Sequence, residues 1–233
     1  MTLICGDSII ELEKLSDESI NITIMDPPYG ISYKSNRSPK ENHITKRGVV
    51  CDDYDTALQQ LEDVCEILNR KMVKDSHIYI FASWKTYCEF KQIIEKFFRI
   101  KSLIVWDKRN GGSGDLRYSW GERHEFIFYA MKGKKELTHR LDNVLSISKV
   151  HSSKLIHPTQ KPVKLIYELL HASVKDGDVV CDPFMGSGST IRAVKRFKGL
   201  KYIGIEIDKE MFEIAKGNIK KEQSSGMAKW GVI

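Results

Sequence analysis

The 233-residue sequence lacks the signals of secreted and membrane-anchored proteins. No stretch approaches the roughly eighteen apolar residues of a membrane-spanning helix, and the amino terminus has no basic segment followed by an apolar one. The five cysteines are odd in number and widely spaced, and no pair has the spacing of zinc ligands. We therefore expect a cytoplasmic protein with reduced thiols, no metal site and no membrane partner.

What the sequence does contain is a sufficient supply of apolar residues and a moderate excess of basic ones. Hydrophobic residues make up 41% of the chain, and 37 Lys and Arg against 31 Asp and Glu give a net charge of +6. This charge is compatible with nucleic-acid binding but does not establish it, since many basic proteins bind no nucleic acid. The length suits a single domain, which we place at residues 1–222, with a flexible tail at 223–233.

Short runs rich in β-branched residues alternate with stretches of helical periodicity. Strands are predicted at residues 3–5, 21–25, 77–82, 100–106, 125–131, 179–181 and 202–208, and helices at 9–15, 56–73, 87–98, 163–174, 191–197 and from 209 to about 220. A further strand could lie within 141–150. This alternation predicts an α/β fold, in which a mostly parallel, doubly wound sheet of about seven strands has helices on both faces.

Residues 26–30, Asp-Pro-Pro-Tyr-Gly, directly follow the second predicted strand. The carboxyl ends of strands are where open α/β sheets bind their ligands. Two prolines make the turn stiff, which suits a rigid polar clamp with an aromatic ring beside it. An ordinary structural alternative is equally compatible with these five residues, namely that Asp26 caps a helix and Pro27 opens it.

A glycine-rich turn at residues 182–190 joins a buried strand to a helix. Gly186 and Gly188 would let backbone N–H groups approach a ligand closely. The turn lacks the third glycine of the dinucleotide fingerprint and the Gly-Lys-Ser/Thr ending of a phosphate loop. Glu206 ends the next predicted strand about twenty residues later, where an acid can bind ribose hydroxyls. Together these features favour a bound nucleoside over a surface role for Glu206.

Four motifs in one characteristic order resemble the β-class amino-methyltransferases of DNA. They are Asp-Pro-Pro-Tyr at 26–29, Pro-Thr-Gln-Lys-Pro at 158–162, Asp-Pro-Phe-Met-Gly-Ser-Gly-Ser-Thr at 182–190 and Ile-Gly-Ile-Glu-Ile-Asp at 203–208. The resemblance covers most of the chain and implies a Rossmann-like class I methyltransferase fold with a permuted motif order. This order argues against the protein-glutamine methyltransferases, in which a similar Asn-Pro-Pro-Tyr follows the glycine turn.

The resemblance also implies S-adenosylmethionine as cofactor. Glu206 would hold its ribose, Asp7 and Ser8 would lie near its adenine, and Thr159 and Lys161 near its methionine end. The full implied cofactor set is Asp7, Ser8, Asp26, Thr159, Lys161, Asp182, Phe184, Gly186, Ser187, Gly188, Glu206 and Ile207. For residues 158–162 the alternative is a helix-entry turn that binds no ligand.

The implied catalytic residues are Asp26, Pro27, Pro28 and Tyr29. An aspartate at the first motif position resembles the adenine-N6 enzymes, whereas cytosine-N4 enzymes tend to have serine there. Asp26 and the carbonyl of Pro27 would accept the two hydrogens of the amine of a flipped base, and Tyr29 would stack on its ring. The alternatives are a cytosine-N4 DNA methyltransferase, an RNA methyltransferase, and a catalytically silent nucleic-acid-binding module.

Larger members of the family carry a sizeable recognition domain, which this chain lacks. Three stretches remain for DNA contact, at residues 31–55, 107–123 and 132–158, and they predict short or relaxed sequence specificity. The residues predicted to contact DNA are Lys34, Arg37, Lys46, Arg47, Arg109, Arg117 and Arg123. Dimers are common among relatives, so a homodimer is possible, although no surface stripe compels one.

Overall fold

The computed structural model describes residues 2–31, 53–110, 117–150 and 160–224, with side chains as far as 221. Within these ranges the strands are β1 (Thr2–Cys5), β2 (Ile20–Met25), β3 (Met72–Ala82), β4 (Arg99–Asp107), β5 (His124–Lys132), β6 (Val144–Ser146), β7 (Val179–Asp182) and β8 (Lys201–Glu206). The α-helices are α1 (Ser8–Glu13), α2 (Tyr54–Lys71), α3 (Tyr87–Phe97), α4 (Val163–His171), α5 (Ser189–Val194) and α6 (Lys209–Ser224). A short 3-10 helix, Trp84–Thr86, precedes α3.

The strands form one eight-stranded sheet in the order β1-β8-β7-β2-β3-β5-β4-β6. All neighbouring pairs from β1 across to β3 are parallel, and β6 is parallel to β4. The predicted doubly wound, mostly parallel α/β sheet is therefore confirmed. The eighth strand, β6, lies within the stretch 141–150 where the sequence left a strand open.

Strand β5 is the exception, since it runs antiparallel to both of its neighbours, β3 and β4. Parallel neighbours need a crossover connection, usually a helix, whereas antiparallel neighbours can be joined directly. No helix is found in the described parts of the connection between β4 and β5, so β5 returns beside β4. As a result, the first residues of β5 lie at the same edge of the sheet as the last residues of β3.

Both faces of the sheet are covered, and the alternation of side chains along β3 shows how. Ile78 and Ile80 point into a core formed with α2 and α3, where Leu61 and Phe90 are fully buried. Tyr79 and Phe81 point into a second core formed with α4 and α5. Strands buried on both faces read as continuous apolar runs, which explains why the strand signals in this sequence were clear.

Several element boundaries differ from those predicted. Strand β3 begins at Met72, five residues before the predicted start, because α2 passes into it without a loop. Helix α6 continues to Ser224, so the first two residues of the predicted tail are helical, and residues 225–233 lie outside the described ranges. No helix in the described ranges is long and apolar enough to span a bilayer.

The chain reverses direction across the sheet between β2 and β7. From β2 it continues to β3 on one side, whereas from β7 it continues to β8 on the other. A crevice opens outside the carboxyl ends of the strands at such a switch point, and it is the usual ligand site of open α/β sheets. Residues 26–30 leave β2 at this crevice, and residues 183–188 leave β7 there.

Candidate functional site

Residues 26–30 leave β2 as extended, non-helical chain, so the alternative that Asp26 caps a helix is wrong. The next helix in the described residues, α2, begins at Tyr54 and is capped by Asp53. Gly30 has φ +70°, and a Cβ built on it would lie 3.0 Å from the Cα of Tyr54. Glycine is therefore required where the motif turns past the start of α2.

The Asp26 carboxylate is held by two side chains. The Tyr29 hydroxyl donates to its Oδ1 at 2.6 Å, and the Lys161 ammonium lies 2.9 Å from its Oδ2. Burial raises the pKa of Asp26, and the positive charge of Lys161 acts in the opposite direction. Burial and the neighbouring Asp26 together raise the pKa of Tyr29, which keeps the phenol protonated.

Lys161 also faces a second carboxylate. Its Nζ lies 3.0 Å from Oε2 of Glu125, as an ion pair without a well-aligned hydrogen bond, and Oε1 of Glu125 lies 2.7 Å from Nζ of Lys108. Asp26, Lys161, Glu125 and Lys108 therefore form a row of alternating charges, which we call the charge row. Burial alone would lower the pKa of Lys161, but the two carboxylates raise it.

Glu125 and Lys108 were not among the predicted site residues. Burial favours a higher pKa for Glu125, but the charges of Lys161 and Lys108 outweigh it and lower that pKa. Glu125 reaches the site only because β5 is antiparallel, which places the start of this strand at the ligand edge. A sequence motif could not have identified it, since the direction of β5 is not visible in its residues.

Tyr29 fills the space between the motif and the core. Its ring meets Phe90 edge-on, with the centroids 6.3 Å apart, and the Lys161 ammonium lies 5.5 Å from its centroid. The same ammonium lies 5.0 Å from the ring of Phe81. The aromatic rings thus stabilise the buried cation as well as presenting an apolar surface.

The turn after β7 uses its two glycines differently. Gly186 has φ +49°, and a Cβ on it would meet nothing closer than 4.0 Å, so the space beside it is open. Gly188 has φ +84°, and a Cβ there would lie 3.1 Å from Cδ1 of Ile219 on α6. Gly186 therefore leaves room for a ligand, whereas Gly188 allows a helix to pack closely.

Asp182 lies beneath this turn and holds its shape. Its Oδ1 accepts from the backbone N–H of Phe184 at 3.0 Å, and Thr190 donates to the same carboxylate. Burial raises the pKa of Asp182 to about 7, against the opposing effect of these donors. Ser187 is buried in the turn, and its carbonyl accepts from Asn218 of α6.

Glu206 ends β8 on the other side of the turn. Its Oε2 accepts from the N–H of Gly186 and its Oε1 from the N–H of Asp208, both at 2.9 Å. The N–H of Ile207 also acts on this carboxylate, and with about four lone-pair sites on its two oxygens it can still accept from a ligand hydroxyl. The next side chain, Ile207, is 48% exposed and offers an apolar surface at the same edge.

Asp7 and Ser8 start α1 close to the same turn. Asp7 caps the helix, with its Oδ1 accepting from the N–H groups of Ile9 and Ile10. The Ser8 hydroxyl donates to the carbonyl of Pro183, which ties α1 to the turn after β7. Asp7, Glu206, Asp182 and Asp26 therefore follow or end four consecutive strands, β1, β8, β7 and β2, along one edge.

The remaining predicted site residues divide into two groups. Thr159, Lys34, Arg37, Lys46 and Arg47 lie outside the described residues. Arg123 binds Asp107 through two hydrogen bonds, of 2.7 and 2.9 Å, which close the base of the loop at 107–123. Arg109 and Arg117 lie on the same loop, together with Trp120, which is 98% exposed.

One part of the predicted DNA-contacting stretch 132–158 faces away from this edge. Lys132 donates to the carbonyls of Asn69 and Met72, and the buried Lys135 pairs with Asp178 at 2.9 Å. Because β5 is antiparallel, the chain leaves it at the opposite edge of the sheet from Asp26. Contact of the stretch 132–158 with DNA stays a prediction, and among its described residues those at 147–150, after β6, lie at the ligand edge.

Comparison with known proteins identifies the family. The family model described as DNA methylase, of the N6/N4 type, matches residues 20–217. The chain belongs to this family. The predicted resemblance to the amino-methyltransferases of DNA is thereby confirmed, and S-adenosylmethionine is the methyl donor of the family.

Two curated relatives of this methylase extend over nearly its whole length. The type II methyltransferase M.HpaI of Haemophilus parainfluenzae is 30% identical over 94% of the chain and 74% of its own length. The DNA adenine methyltransferase YhdJ of Escherichia coli K12 is 28% identical over 91% of the chain and 80% of its own length. The match is therefore to the body of these proteins and not to an appended module.

Solved structures agree in fold. The complex of M1.HpyAVI with S-adenosylmethionine aligns with a TM-score of 0.70 at 23% identity, over 94% of this chain and 98% of that one. The cytosine-N4-specific PvuII DNA methyltransferase aligns with a TM-score of 0.73 at 16% identity, over 96% and 91% of the two chains. These likenesses confirm the class I methyltransferase fold of this methylase.

The residues at the ligand edge fit the cofactor. A nucleoside needs an acceptor for its ribose hydroxyls, open space beside a glycine turn and an apolar surface for its base. The Glu206 carboxylate can accept a hydrogen bond, Gly186 leaves the space open and Ile207 is exposed. Glu206 accepts from the N–H of Gly186 and directly precedes Ile207, so the three residues lie together. The fit supports the predicted cofactor set, which remains a prediction residue by residue.

Proposed function

We propose that this methylase transfers a methyl group from S-adenosylmethionine to the exocyclic N6 amine of a flipped adenine in DNA. The observation that carries the proposal is the position of Asp26 at the switch point. Its carboxylate lies at the end of β2, beside the β7 turn, and is oriented by Tyr29 and Lys161. A rigidly held acceptor next to a nucleoside crevice is what an amine nucleophile requires.

The chemistry follows from the electronic structure of the amine. Its lone pair is delocalised into the ring, so the nitrogen is a weak nucleophile until its hydrogens are held out of the ring plane. In the proposed arrangement the amine donates one hydrogen bond to Asp26 and one to the carbonyl of Pro27. The cofactor, when bound, supplies an electrophilic methyl group on a positively charged sulfur. The lone pair of N6 would form the new bond to carbon as the carbon–sulfur bond breaks and its electron pair returns to sulfur, and the surplus proton on nitrogen passes to the Asp26 carboxylate or to water.

Adenine is the proposed target because of the aspartate at position 26, which the resemblance associates with adenine-N6 enzymes. The curated relative YhdJ is named as an adenine methyltransferase, which supports the same choice. The likeness to a cytosine-N4 enzyme at 16% identity shows fold alone. Cytosine-N4 methylation is therefore the second candidate, and RNA a further acceptor to be tested.

The test is to incubate the protein with labelled S-adenosylmethionine and either DNA or RNA, digest the product to nucleosides and identify the labelled one. Label in N6-methyladenine from DNA is expected. Label in N4-methylcytosine would replace adenine as the target, and no label in any nucleic acid would leave a silent binding module.

Short or relaxed specificity is proposed from the loops. Within the described residues at the ligand edge, DNA contact falls to Arg109, Arg117 and the exposed Trp120 on the loop at 107–123. Loops of this size reach few base pairs each. A site-by-site methylation map of treated DNA should therefore give a short or degenerate site, and a long, strict site would contradict this part of the proposal.

A further inference from the structure

One ammonium is shared by two carboxylates at the centre of the charge row. Lys161 Nζ lies 2.9 Å from Oδ2 of Asp26 and 3.0 Å from Oε2 of Glu125. The side chain of Lys161 is 8% exposed, and those of Asp26 and Glu125 are 23% and 20% exposed. At this degree of burial the charges interact strongly, because little water separates them.

The three members come from separate parts of the chain and each is anchored. Asp26 follows β2, Glu125 is the second residue of β5, and Lys161 precedes α4. The carbonyl of Lys161 accepts from the Ser189 hydroxyl at 2.8 Å, which fixes its backbone to α5. Lys108 holds the other oxygen of Glu125 at 2.7 Å. The arrangement is therefore built by the fold and is not a chance surface contact.

Sharing matters because the proposed reaction needs Asp26 as an acceptor. Tyr29 already donates to Oδ1, and Lys161 already contacts Oδ2. An ammonium bound to Asp26 alone would direct its donors at the lone pairs that the target amine must use. A second carboxylate on the far side draws the ammonium away and leaves acceptor capacity on Asp26.

We propose that Glu125 is a positioning residue for methyl transfer. By holding Lys161 between two carboxylates, it keeps the Lys161 charge close to Asp26 without letting the ammonium occupy the lone pair that orients the target amine. This inference rests on the proposed function, since it assigns a role within the same site.

The role has an electrostatic signature whose sign can be stated. Asp26 faces Tyr29 and Lys161 at contact distance, with the negative charge of Glu125 nearby and the Asp182 carboxyl, whose pKa is raised to about 7, on the next strand. The charge of Glu125 raises the pKa of Asp26. Removing that charge should lower the pKa of Asp26. Activity requires ionised Asp26, so the acid limb of the plot of kcat against pH should move to lower pH.

The experiment compares wild-type protein with Glu125→Gln, which removes the charge and keeps the shape. We expect kcat to fall about tenfold at the plateau, because Lys161 then has Asp26 as its only carboxylate partner, beside the Tyr29 hydroxyl at 3.3 Å, and misorients the amine. The KM for DNA should stay within about twofold. The acid limb should move to lower pH despite the slower reaction. A merely structural ion pair would change the melting temperature and not the acid limb.

The matched control is Glu62→Gln, which removes the same charge from a surface pair between Glu62 of α2 and Lys96 of α3. It should leave both kcat and the acid limb unchanged. Glu125→Asp keeps the charge but shortens the side chain, so it should lower kcat and leave the acid limb at the wild-type pH.

Either an unchanged kcat in Glu125→Gln or an acid limb that moves to higher pH would overturn the inference. If that variant does not fold, Glu125→Asp decides the question, and wild-type kcat in it would overturn the inference as well. Absence of transfer by the wild-type protein would instead refute the proposed function, so the two failures are distinguishable.

Discussion

Two buried polar networks lie at opposite edges of the same sheet, and they are built on different principles. The charge row at the ligand edge joins four ionised groups, of which Lys161 is buried and the other three are partly exposed. At the other edge, His77, Ser173, Tyr79 and Tyr129 form a cluster of neutral groups, which we call the His77 cluster. The charge row keeps acceptor capacity to spare, including Oε2 of Glu125, which has an ion pair but no aligned hydrogen bond.

The hydrogen bonds of His77, Ser173 and Tyr79 have one consistent set of donors and acceptors. The carbonyl of Lys135 can only accept, so Nε2 of His77, 3.0 Å away, carries the proton. Nδ1 of His77 then accepts from the Ser173 hydroxyl at 2.8 Å, and Tyr79 donates to Ser173. His77 and Ser173 are fully buried, so this histidine and serine resemble a catalytic pair in distance alone and cannot meet a substrate.

The comparison teaches that exposure and surplus acceptors, and not hydrogen bonding alone, separate a reactive network from a structural one. Disrupting the charge row should change the reaction more than the stability. Disrupting the His77 cluster should change the stability more than the reaction. The predictions below test this division.

The largest expected effect is that of Asp26→Ala on methyl transfer. Loss of the acceptor should lower kcat by about 10³-fold, comparable to removal of a preorganised catalytic hydrogen bond. Cofactor binding, measured by calorimetry, should largely survive, because Glu206 and the Gly186 turn are untouched. Asp63→Ala on α2, where Asp63 bonds only a helix neighbour in the described structure, is the control. Wild-type turnover in Asp26→Ala would remove Asp26 from the mechanism.

The second prediction concerns pH and the His77 cluster. Burial lowers the pKa of His77 from 6.5 to about 4, with the Lys135 carbonyl opposing the shift and Lys135, Asp178 and Lys175 as the charged neighbours. As pH falls, the unfolded chain takes up this proton first. Stability from this group is therefore complete above about pH 6.5 and is lost between pH 6.5 and 4, by about 3 kcal/mol.

Urea unfolding of wild type and His77→Gln at several pH values measures this effect. The variant should be less stable at pH 7 and should lose less stability on acidification. Asp182, whose pKa is raised to about 7, titrates in both proteins and so cancels from the difference. Parallel pH dependences for the two proteins would show that His77 does not carry the effect.

A third, smaller effect is expected for Ser173→Ala. The substitution leaves His77 Nδ1 and the Tyr79 hydroxyl without this buried partner, which should cost about 2 kcal/mol of unfolding free energy. The kcat should stay within about twofold of the wild-type value, because the His77 cluster lies at the opposite edge of the sheet from Asp26. Adding Tyr79→Phe removes one of the stranded groups, so the double variant should be less unstable than the sum of the two single ones. Strict additivity would mean that the two hydroxyls are not coupled.

The smallest effect is the difference in stability between two glycine substitutions, one at the ligand edge and one in open space. Gly188→Ala adds both left-handed strain and a Cβ at 3.1 Å from Ile219, whereas Gly177→Ala adds similar strain, at φ +87°, in open space. We expect each to cost about 1 kcal/mol from strain, with about 1 kcal/mol more for Gly188 from the contact. Equal melting temperatures for the two variants would mean that α6 yields to the added methyl group.

The sequence was informative wherever the signal was local. The apolar run of β2 and the double proline after it placed Asp26 at the end of a strand, and the glycines marked the turn after β7. The fold class and seven of the eight described strands followed from the alternation of elements. These features depend on residues close together in the chain, which is why one sequence sufficed.

What could not be predicted depends on pairing between distant segments. Glu125 enters the site only through the antiparallel direction of β5, and the same direction carries Lys135 away from it. The clamp at Asp26 includes Lys161, 135 residues later in the chain, which no pattern within residues 26–30 reveals. The resemblance to a family supplied the position of Lys161 near the cofactor, but not its ion pair with Asp26.

The antiparallel return of β5 has a further consequence for how such an enzyme can change. The segment at 107–123 leaves β4 and enters β5 at one edge, with Asp107 and His124 paired at its base. In general, doubling the length of a loop raises the free energy of loop closure by only about 0.6 kcal/mol. Insertions there would extend the reach over a duplex and leave every strand in register, so target choice can diverge in this lineage while the chemistry beneath stays the same.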